Sequence, residues 1–462
     1  MVMGISTLDQ IETLFSNVEV RQIYIKKLAP NQDNDKNQIY LGSGLTGVTN
    51  LFPTQLKAGS ESESSEKRKS SPRKQKIEAI LNFYWLDDKG RQYAAPGAKI
   101  IDYFQYPEVR FSGFLRNCKK SPDALRRKKQ TVYGQRFLIL GANEYGKTYG
   151  LVISQLEDPI VAKFPQLPQC DSVPILDTHV IGKKPGSSPT QLITQELQNL
   201  AGIWHPSLTL KEKNSIPIPF KGNQGAGYTL EALLNIPRNS SKAPDKHGFE
   251  IKSFKKGGKI SLMTPTADLG EEGSMSFKDF MDKYGWRGEK KRYSRVFNGI
   301  YKFRIPNRGK GYLLEIPGFH PETKQFEEAS DLKYVGLVDP AKAILLSGWS
   351  FQKFLDSWSK KHASACYVEY ESRPYSGSDG QHDKEYRYSG RVYFCTGTTI
   401  FLYLFAIAST TVYYDPAHEI DQHGESHQRP QWRISVTRKL EGKLNDLYHQ
   451  VKSVNLNLQN NS

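Results

Sequence analysis

The chain has 462 residues and a mass of 52.5 kDa, room for two to four domains. Lys and Arg number 64 against 48 Asp and Glu, a formal net charge of +16 that points to a polyanionic partner. Hydrophobic residues at 37% and aromatics at 11% exclude a disordered chain. Cys118, Cys170, Cys366 and Cys395 are scattered with no CxxC pair, which argues against a disulfide scaffold or zinc ribbon and fits a reducing cytoplasm. Residues 1–17 lack the basic and apolar regions of a secretory signal. The most apolar run, Ile400 to Ala408, falls well short of the ~18 residues a membrane span needs. A soluble, cytoplasmic, nucleic-acid-handling protein without a membrane partner is expected.

In chain order, short aromatic and β-branched runs come first: Gln22–Lys26, Gln38–Leu41, Ile77–Leu86, Gln135–Leu140 and Gly150–Ile153. They predict a mostly antiparallel β domain over residues 1–160, of barrel type. Residues 58–76 hold no large apolar side chain and many charges, so a disordered insertion is expected there. Six prolines between Pro159 and Pro189 predict a linker over 161–189. A second, α/β domain is expected over 190–462. Helices are predicted over Thr190–Ile203, from Tyr228 to Pro237, from Ser276, and from Arg438 to about Val451. Strands are predicted over His247–Phe254 and, across the Lys256–Gly258 turn, Lys259–Met263. Further strands are expected at Gly311–Ile316, Val392–Cys395, Thr410–Tyr414 and Gln431–Val436.

The chemistry concentrates in Pro244-Asp245-Lys246-His247-Gly248-Phe249-Glu250-Ile251-Lys252. In a strand, Glu250 and Lys252 share one face and Phe249 and Ile251 the other. The apolar pair seals against a core and leaves a carboxylate and an ammonium on an open face. A short glycine-containing turn brings the Asp245 carboxylate back beside them. Two carboxylates and a peptide carbonyl make a hard oxygen site suited to Mg²⁺. The lysine orients a water or stabilises charge building on phosphorus, and the set is a kit for phosphodiester hydrolysis. The plain alternative is a surface strand with one ion pair.

This segment, preceded by GAGYTLEALLN, resembles the catalytic region of the MvaI/BcnI restriction endonucleases, within the MutH-like branch of PD-(D/E)xK nucleases. Gly225, Gly227, Thr229, Glu231, Ala243, Pro244, Asp245, His247, Glu250, Lys252 and Ser253 follow the family's order. The resemblance is sharpest over 222–265 and weaker to 440. It implies Asp245 and Glu250, with the Ile251 carbonyl, as metal ligands. It further implies Lys252 as the catalytic lysine, Glu231 as an auxiliary acid and His247 as a DNA-side residue. Glu231 reads equally well as an ordinary residue of a helix's first turn.

A second cluster holds His418, His423, His427, Arg429 and Arg433. Its spacing does not suit zinc. As a DNA-reading loop it is plausible, since arginine contacts guanine edges in bidentate fashion. The family's His-rich loop with aromatic-Arg-Ile after it resembles Trp432-Arg433-Ile434, which marks Arg433, then His427, His423 and Arg429. A solvated polar loop is the alternative.

In the first domain, Arg110, Arg116, Lys119, Lys120, Arg126, Arg127, Lys128, Lys129 and Arg136 are opposed only by Asp123, with Phe111, Phe114 and Tyr133 interleaved. Such a run tracks phosphates. YIKKLAP, NQIYLGSG and LFP resemble the start of the EcoRII-N-type effector domains, a B3-like pseudobarrel that grips DNA with two arms. The resemblance places Asn37, Gln38 and Tyr40 on one arm and Arg110 and Arg116 on the other. Gly42-Ser43-Gly44-Leu45-Thr46-Gly47 spells GxGxxG but lacks the βαβ context of a dinucleotide site, and reads as a turn. GNQGAGY lacks the GK[ST] of a P-loop, although its amides suit a DNA phosphate.

Together these features imply a Mg²⁺-dependent type II, IIE-like restriction endonuclease: a B3-like β domain followed by a MutH-like α/β catalytic domain. The implied partner is double-stranded DNA at a CCNGG-type site, CC(A/T)GG above all. A monomer binding one DNA copy through each domain is expected. The rivals are a non-catalytic DNA-binding regulator and a structure-selective repair nuclease.

Overall fold

The computed structural model describes residues 4–30, 37–42, 44–60, 76–103, 108–143, 145–183, 188–238, 244–289, 293–320, 322, 325–326, 334–358, 362, 364–378 and 380–456. The chain forms two regions, β-rich overall. In the first, a seven-stranded sheet runs in the order Gln169–Cys170, Val173–Val180, Gln22–Leu28, Arg136–Ala142, Thr148–Ser154, Phe83–Leu86 and Gln92–Ala94. A five-stranded sheet runs Ile39–Gly42, Glu108–Ser112, Lys99–Tyr103, Lys76–Leu81 and Thr54–Ser60. Every pair is antiparallel except Thr148–Ser154 with Phe83–Leu86, which is parallel. The central strand QIYIKKL is apolar on both faces because both are covered. Tyr24 and Leu28 enter a core shared by the two sheets, whereas Ile23 and Ile25 enter one capped by helix Leu8–Ser16.

The stretch expected as a proline-rich linker contains regular structure. Val173–Val180 pairs along Gln22–Ile25 and so belongs to the first sheet. Its prolines do not interrupt the ladder, because Pro174 lies outside the paired residues and 175–180 contain none. The GxGxxG segment is more than a turn, since a helix, Leu45–Leu51, follows it. The next strand pairs antiparallel with Lys76–Leu81, so no βαβ unit forms. Most of the expected insertion, 61–75, lies outside the described residues; it joins these two paired strands.

In the second region the sheet that holds the candidate site residues runs Trp204–Pro206, Lys384–Thr396, Ser364–Pro374, Glu250–Phe254, with Gln450–Leu456 on the far half of Lys384–Thr396. Helix Pro189–Leu200 starts with a capping box, Ser188 and Gln191, and with proline at its first turn. With helix Gly225–Leu233 it covers one sheet face through Ile193, Leu197, Leu230, Phe249, Ile251 and Val368. Small sheets and the buried helix Ile400–Ala408 build the remainder around Trp349, Tyr414 and Trp432, whose ring centroids lie 4.7–5.2 Å apart. The two regions share a continuous core, and Gln352 donates to the Leu56 carbonyl at 3.3 Å across them. Among the described residues no helix is long and apolar enough to cross a membrane.

Several expected elements shift. The helix expected from Tyr228 begins at Gly225. Glu250–Phe254 does not pair with Lys259–Met263 across the glycine turn; it pairs parallel with Ser364–Pro374, and Lys259–Met263 pairs with Trp432–Ser435. Both runs are apolar on a face that meets a long-range partner, and local spacing cannot identify that partner. The C-terminal helix stops at Asn445, and the following residues form the strand Gln450–Leu456, where Val451 and Val454 meet the sheet.

Candidate active site

A two-residue turn builds the site. Lys246 and Phe249 exchange both backbone hydrogen bonds, at 3.1 and 2.8 Å. Between them His247 and Gly248 have φ of 48° and 82°, the left-handed pair of a type I′ hairpin turn. Asp245 and Glu250 therefore flank the turn on opposite arms. The backbone N–H of Ile251 donates to Asp245 Oδ2 at 2.8 Å. Glu250–Phe254 is an edge of its sheet, and N–H and C=O of one strand residue point the same way. The Ile251 carbonyl thus projects on the side where Asp245 sits.

Lys252 Nζ donates to Glu250 Oε1 at 3.1 Å. The face expected to be open is largely covered: Glu250 is only 4% exposed and Lys252 is half-buried. Burial pulls the Lys252 ammonium toward neutrality, but Glu250, Asp245 and Glu231 more than reverse this and hold its pKa above the ordinary lysine value. Glu231, half-buried on helix Gly225–Leu233, is therefore electrostatically part of the site. Thr229 on the same helix accepts from Leu208 N–H at 2.9 Å, and Tyr388 donates to the Ala226 carbonyl at 2.6 Å, fixing the helix to the sheet. The donor set of two carboxylates and one strand carbonyl, with no thiol or imidazole, fits a hard divalent cation.

Sequence reasoning missed Glu196. Its carboxylate takes Lys246 Nζ at 2.8 Å and faces His247 Nε2 at 3.3 Å, clamping the turn from helix Pro189–Leu200. His247 is thereby engaged inside the protein. No local signal marks a carboxylate fifty residues upstream of the turn.

The second cluster divides. His418 is buried: its Nδ1 accepts the Arg429 backbone N–H at 2.9 Å, while Nε2 faces Tyr414 Oη at 3.2 Å and Glu272 Oε1 at 3.4 Å. It pins the loop rather than reading DNA. Arg433 is held by Asp415 at 2.7 Å and Ser261 at 3.0 Å, and Lys259 shares Asp415 at 2.7 Å. Arg429 reaches Glu419 at 3.1 Å, and His423 is exposed. Asp421, Glu425 and His427 place one ligand atom each within 4.8 Å of one another. Asp421 Oδ1 already accepts the amides of His423 and Glu425, which accounts for that grouping as a hairpin turn.

In the first region Tyr40 stands opposite Arg110 in the ladder, and Arg110 donates to Gln38 at 3.1 Å. Asn37 accepts the Arg127 amide at 3.0 Å. Arg116, Lys119 and Lys120 are exposed, with Lys120 3.4 Å from Asp87 and over the Tyr93 ring. Arg136 does not belong to this surface: it is buried and donates to the carbonyls of Ala124 and Ala29.

A family model described as "MvaI/BcnI restriction endonuclease family" matches residues 195–441, more than half of the chain and all of the site. Two solved structures are similar. The restriction endonuclease MvaI–cognate DNA substrate complex overlays with 20% identity and a TM-score of 0.43, covering 58% of this chain and 98% of that one. Restriction endonuclease MvaI in the absence of DNA overlays with 18% identity and a TM-score of 0.29, covering 59% and 100%. No curated protein matches the chain. By class, the protein is a restriction endonuclease, an enzyme that cuts DNA at specific sequences. More particularly, the chain belongs to the MvaI/BcnI restriction endonuclease family.

Proposed function

We propose that the protein is a Mg²⁺-dependent, type IIE-like restriction endonuclease that hydrolyses double-stranded DNA at a CCNGG-type site, with CC(A/T)GG the target. The observation that supports this most is the convergence of the Asp245 carboxylate, the Ile251 strand edge and the Lys252–Glu250 pair. Asp245, Glu250 and the Ile251 carbonyl would hold the metal. When bound, Mg²⁺ supplies Lewis acidity to the phosphate and lowers the pKa of water. Lys252, kept charged by its carboxylate neighbours, orients the attacking water and balances charge on the phosphorane-like transition state. Glu231 adds to the field that holds that charge. The turn clamp by Glu196 fixes Asp245 in register with the strand.

On this reading the catalytic region has the MutH-like form of PD-(D/E)xK nucleases. Arg433, with His427, His423 and Arg429, reads base edges, whereas His247, expected on the DNA side, serves the turn through its contact with Glu196. The N-terminal region is a B3-like pseudobarrel that binds a second copy of the site through Asn37, Gln38, Tyr40, Arg110, Arg116, Lys119 and Lys120. Supporting this are the adjacency of Tyr40 and Arg110 and the exposed cations of 116–129. This joining of an EcoRII-N-like domain to an MvaI-like nuclease resembles UbaLAI. The chain acts as a monomer that nicks the two strands in turn. Digestion of plasmid DNA in Mg²⁺ followed by end-sequencing tests the reading. Discrete ends at CC(A/T)GG are expected; nicks at mismatches or branches alone, or binding without any cut, would replace it with one of the rival functions.

A further inference from the structure

Of the described large apolar side chains, Ile216 is the most exposed, at 87%. It caps the loop 210–217 between the paired strands Leu208–Thr209 and Ile218–Pro219. This loop is held in place. Asn214 and Asn235 exchange two hydrogen bonds, 2.9 Å from the Asn214 amide and 2.6 Å from the Asn235 side-chain amide. Both asparagines have left-handed backbones, φ 61° and 58°, and Asn235 closely follows the helix that carries Glu231. The Arg238 N–H donates to the Leu210 carbonyl at 2.9 Å, and the strand base bonds to Thr229 on that helix. An isoleucine presented to water on a latched loop gains only by burial in a partner.

The surroundings identify the partner. Lys211 and Lys213 lie in the loop and Lys221 follows it, all exposed, with Glu212 the one acid among them. Lys213 also lines a crevice of about 690 Å³ that lies between Pro244, Asp245 and Gly248 of the candidate catalytic turn and Glu19, Arg21 and Tyr145 of the first region. The loop thus reaches the candidate catalytic turn through Lys213 and is tied, through Asn235 and Arg238, to the segment that follows the Glu231 helix. Lysines flanking an isoleucine and a proline are what a duplex accepts when an apolar side chain enters a base step while phosphates are held on both sides. We propose that loop 210–217 is a DNA wedge. Ile216 enters the base step beside the cleaved phosphodiester, and Lys211 and Lys213 hold the flanking phosphates. This rests on the endonuclease reading and adds a positioning residue to it.

The test uses the full chain and a duplex carrying the site at which it cuts plasmid DNA, with 2-aminopurine replacing the adenine nearest the cut. Binding by the wild type in Ca²⁺ raises the 2-aminopurine emission as the step opens. In Ile216→Ser the rise is lost and the single-turnover cleavage rate in Mg²⁺ falls about tenfold, while Ile216→Leu keeps both, as expected for a wedge worth a kilocalorie or more. Thermal melts of the three proteins should coincide, because Ile216 is 87% exposed. Equal emission and equal rates for wild type and Ile216→Ser would overturn the wedge and leave the nuclease standing. A wild type that cuts no DNA would overturn both.

Discussion

Glu196 holds two consecutive residues of the candidate catalytic turn at once, Lys246 at 2.8 Å and His247 at 3.3 Å. Burial pushes its carboxyl up, but His247 and Lys246 more than reverse this, so its pKa lies below the ordinary glutamate value. A depressed acid stabilises the fold above the unfolded-state pKa, and the gain disappears as pH falls through the lowered folded value. Glu196→Gln should therefore cost about 1 kcal/mol or less at neutral pH, and the difference from wild type should vanish in acid. Melts across a pH series check this. The activity loss should exceed the stability loss, because the turn that carries Asp245 slackens.

Asp102 lies in Lys99–Tyr103 of the five-stranded sheet, and burial raises its pKa to about 7. A raised acid favours the folded state most below its unfolded pKa, and stability is lost as pH rises toward the folded value. Between about pH 4 and 7 stability should fall, reaching its full penalty above that. Asp102→Asn should stabilise the protein by about 1–3 kcal/mol at roughly pH 8 and flatten this slope. Urea titrations at several pH values measure it; an unchanged slope would refute the assignment.

Trp432 is fully buried, with Trp349 at 4.9 Å and Phe354 at 5.0 Å between ring centroids. Trp432→Ala should cost about 3–5 kcal/mol, and Trp432→Phe less than half of that. Because the adjacent Arg433 is carried on the same strand, the alanine variant should also bind DNA more weakly even where it remains folded. Denaturant unfolding and fluorescence anisotropy separate the two effects.

Arg433 and the N-terminal cations should fail differently. Arg433→Ala should relax discrimination at one base pair by about 1–3 kcal/mol with little change in salt slope. Paired Lys119→Ala and Lys120→Ala should weaken binding uniformly and lower the salt slope by about one to two phosphate contacts. Competition binding against single-base variants at several salt concentrations distinguishes them.

The turn at 246–249 that carries the proposed catalytic residues was legible in the sequence because it is local. Asp245, the His247-Gly248 turn and the alternation of Phe249, Glu250, Ile251 and Lys252 lie within eight residues. Helix Pro189–Leu200 was legible, as Thr190–Ile203, through its apolar period. What escaped depends on distant partners. The parallel pairing of Glu250–Phe254 with residues more than a hundred positions downstream leaves no local mark, and neither does the Glu196 clamp. Charge alone misplaced two residues: Arg136 and His418 looked like surface groups, yet both are buried, Arg136 donating to the Ala124 and Ala29 carbonyls and His418 held by the Arg429 amide, Tyr414 and Glu272. The proline-rich stretch misled in the opposite sense, since what matters is which side of a ladder each proline meets.

The most direct test of the catalytic assignment is single-turnover cleavage by Lys252→Ala beside wild type, with DNA binding measured on the same samples in Ca²⁺. The account predicts that Mg²⁺-dependent cutting falls by at least about a thousandfold while DNA affinity stays close to wild type, and that thermal stability falls because the buried Glu250 loses the Lys252 ammonium. Cutting by Lys252→Ala at the wild-type rate would contradict it, and would return Asp245, Glu250 and Lys252 to the role of a structural ion-pair cluster.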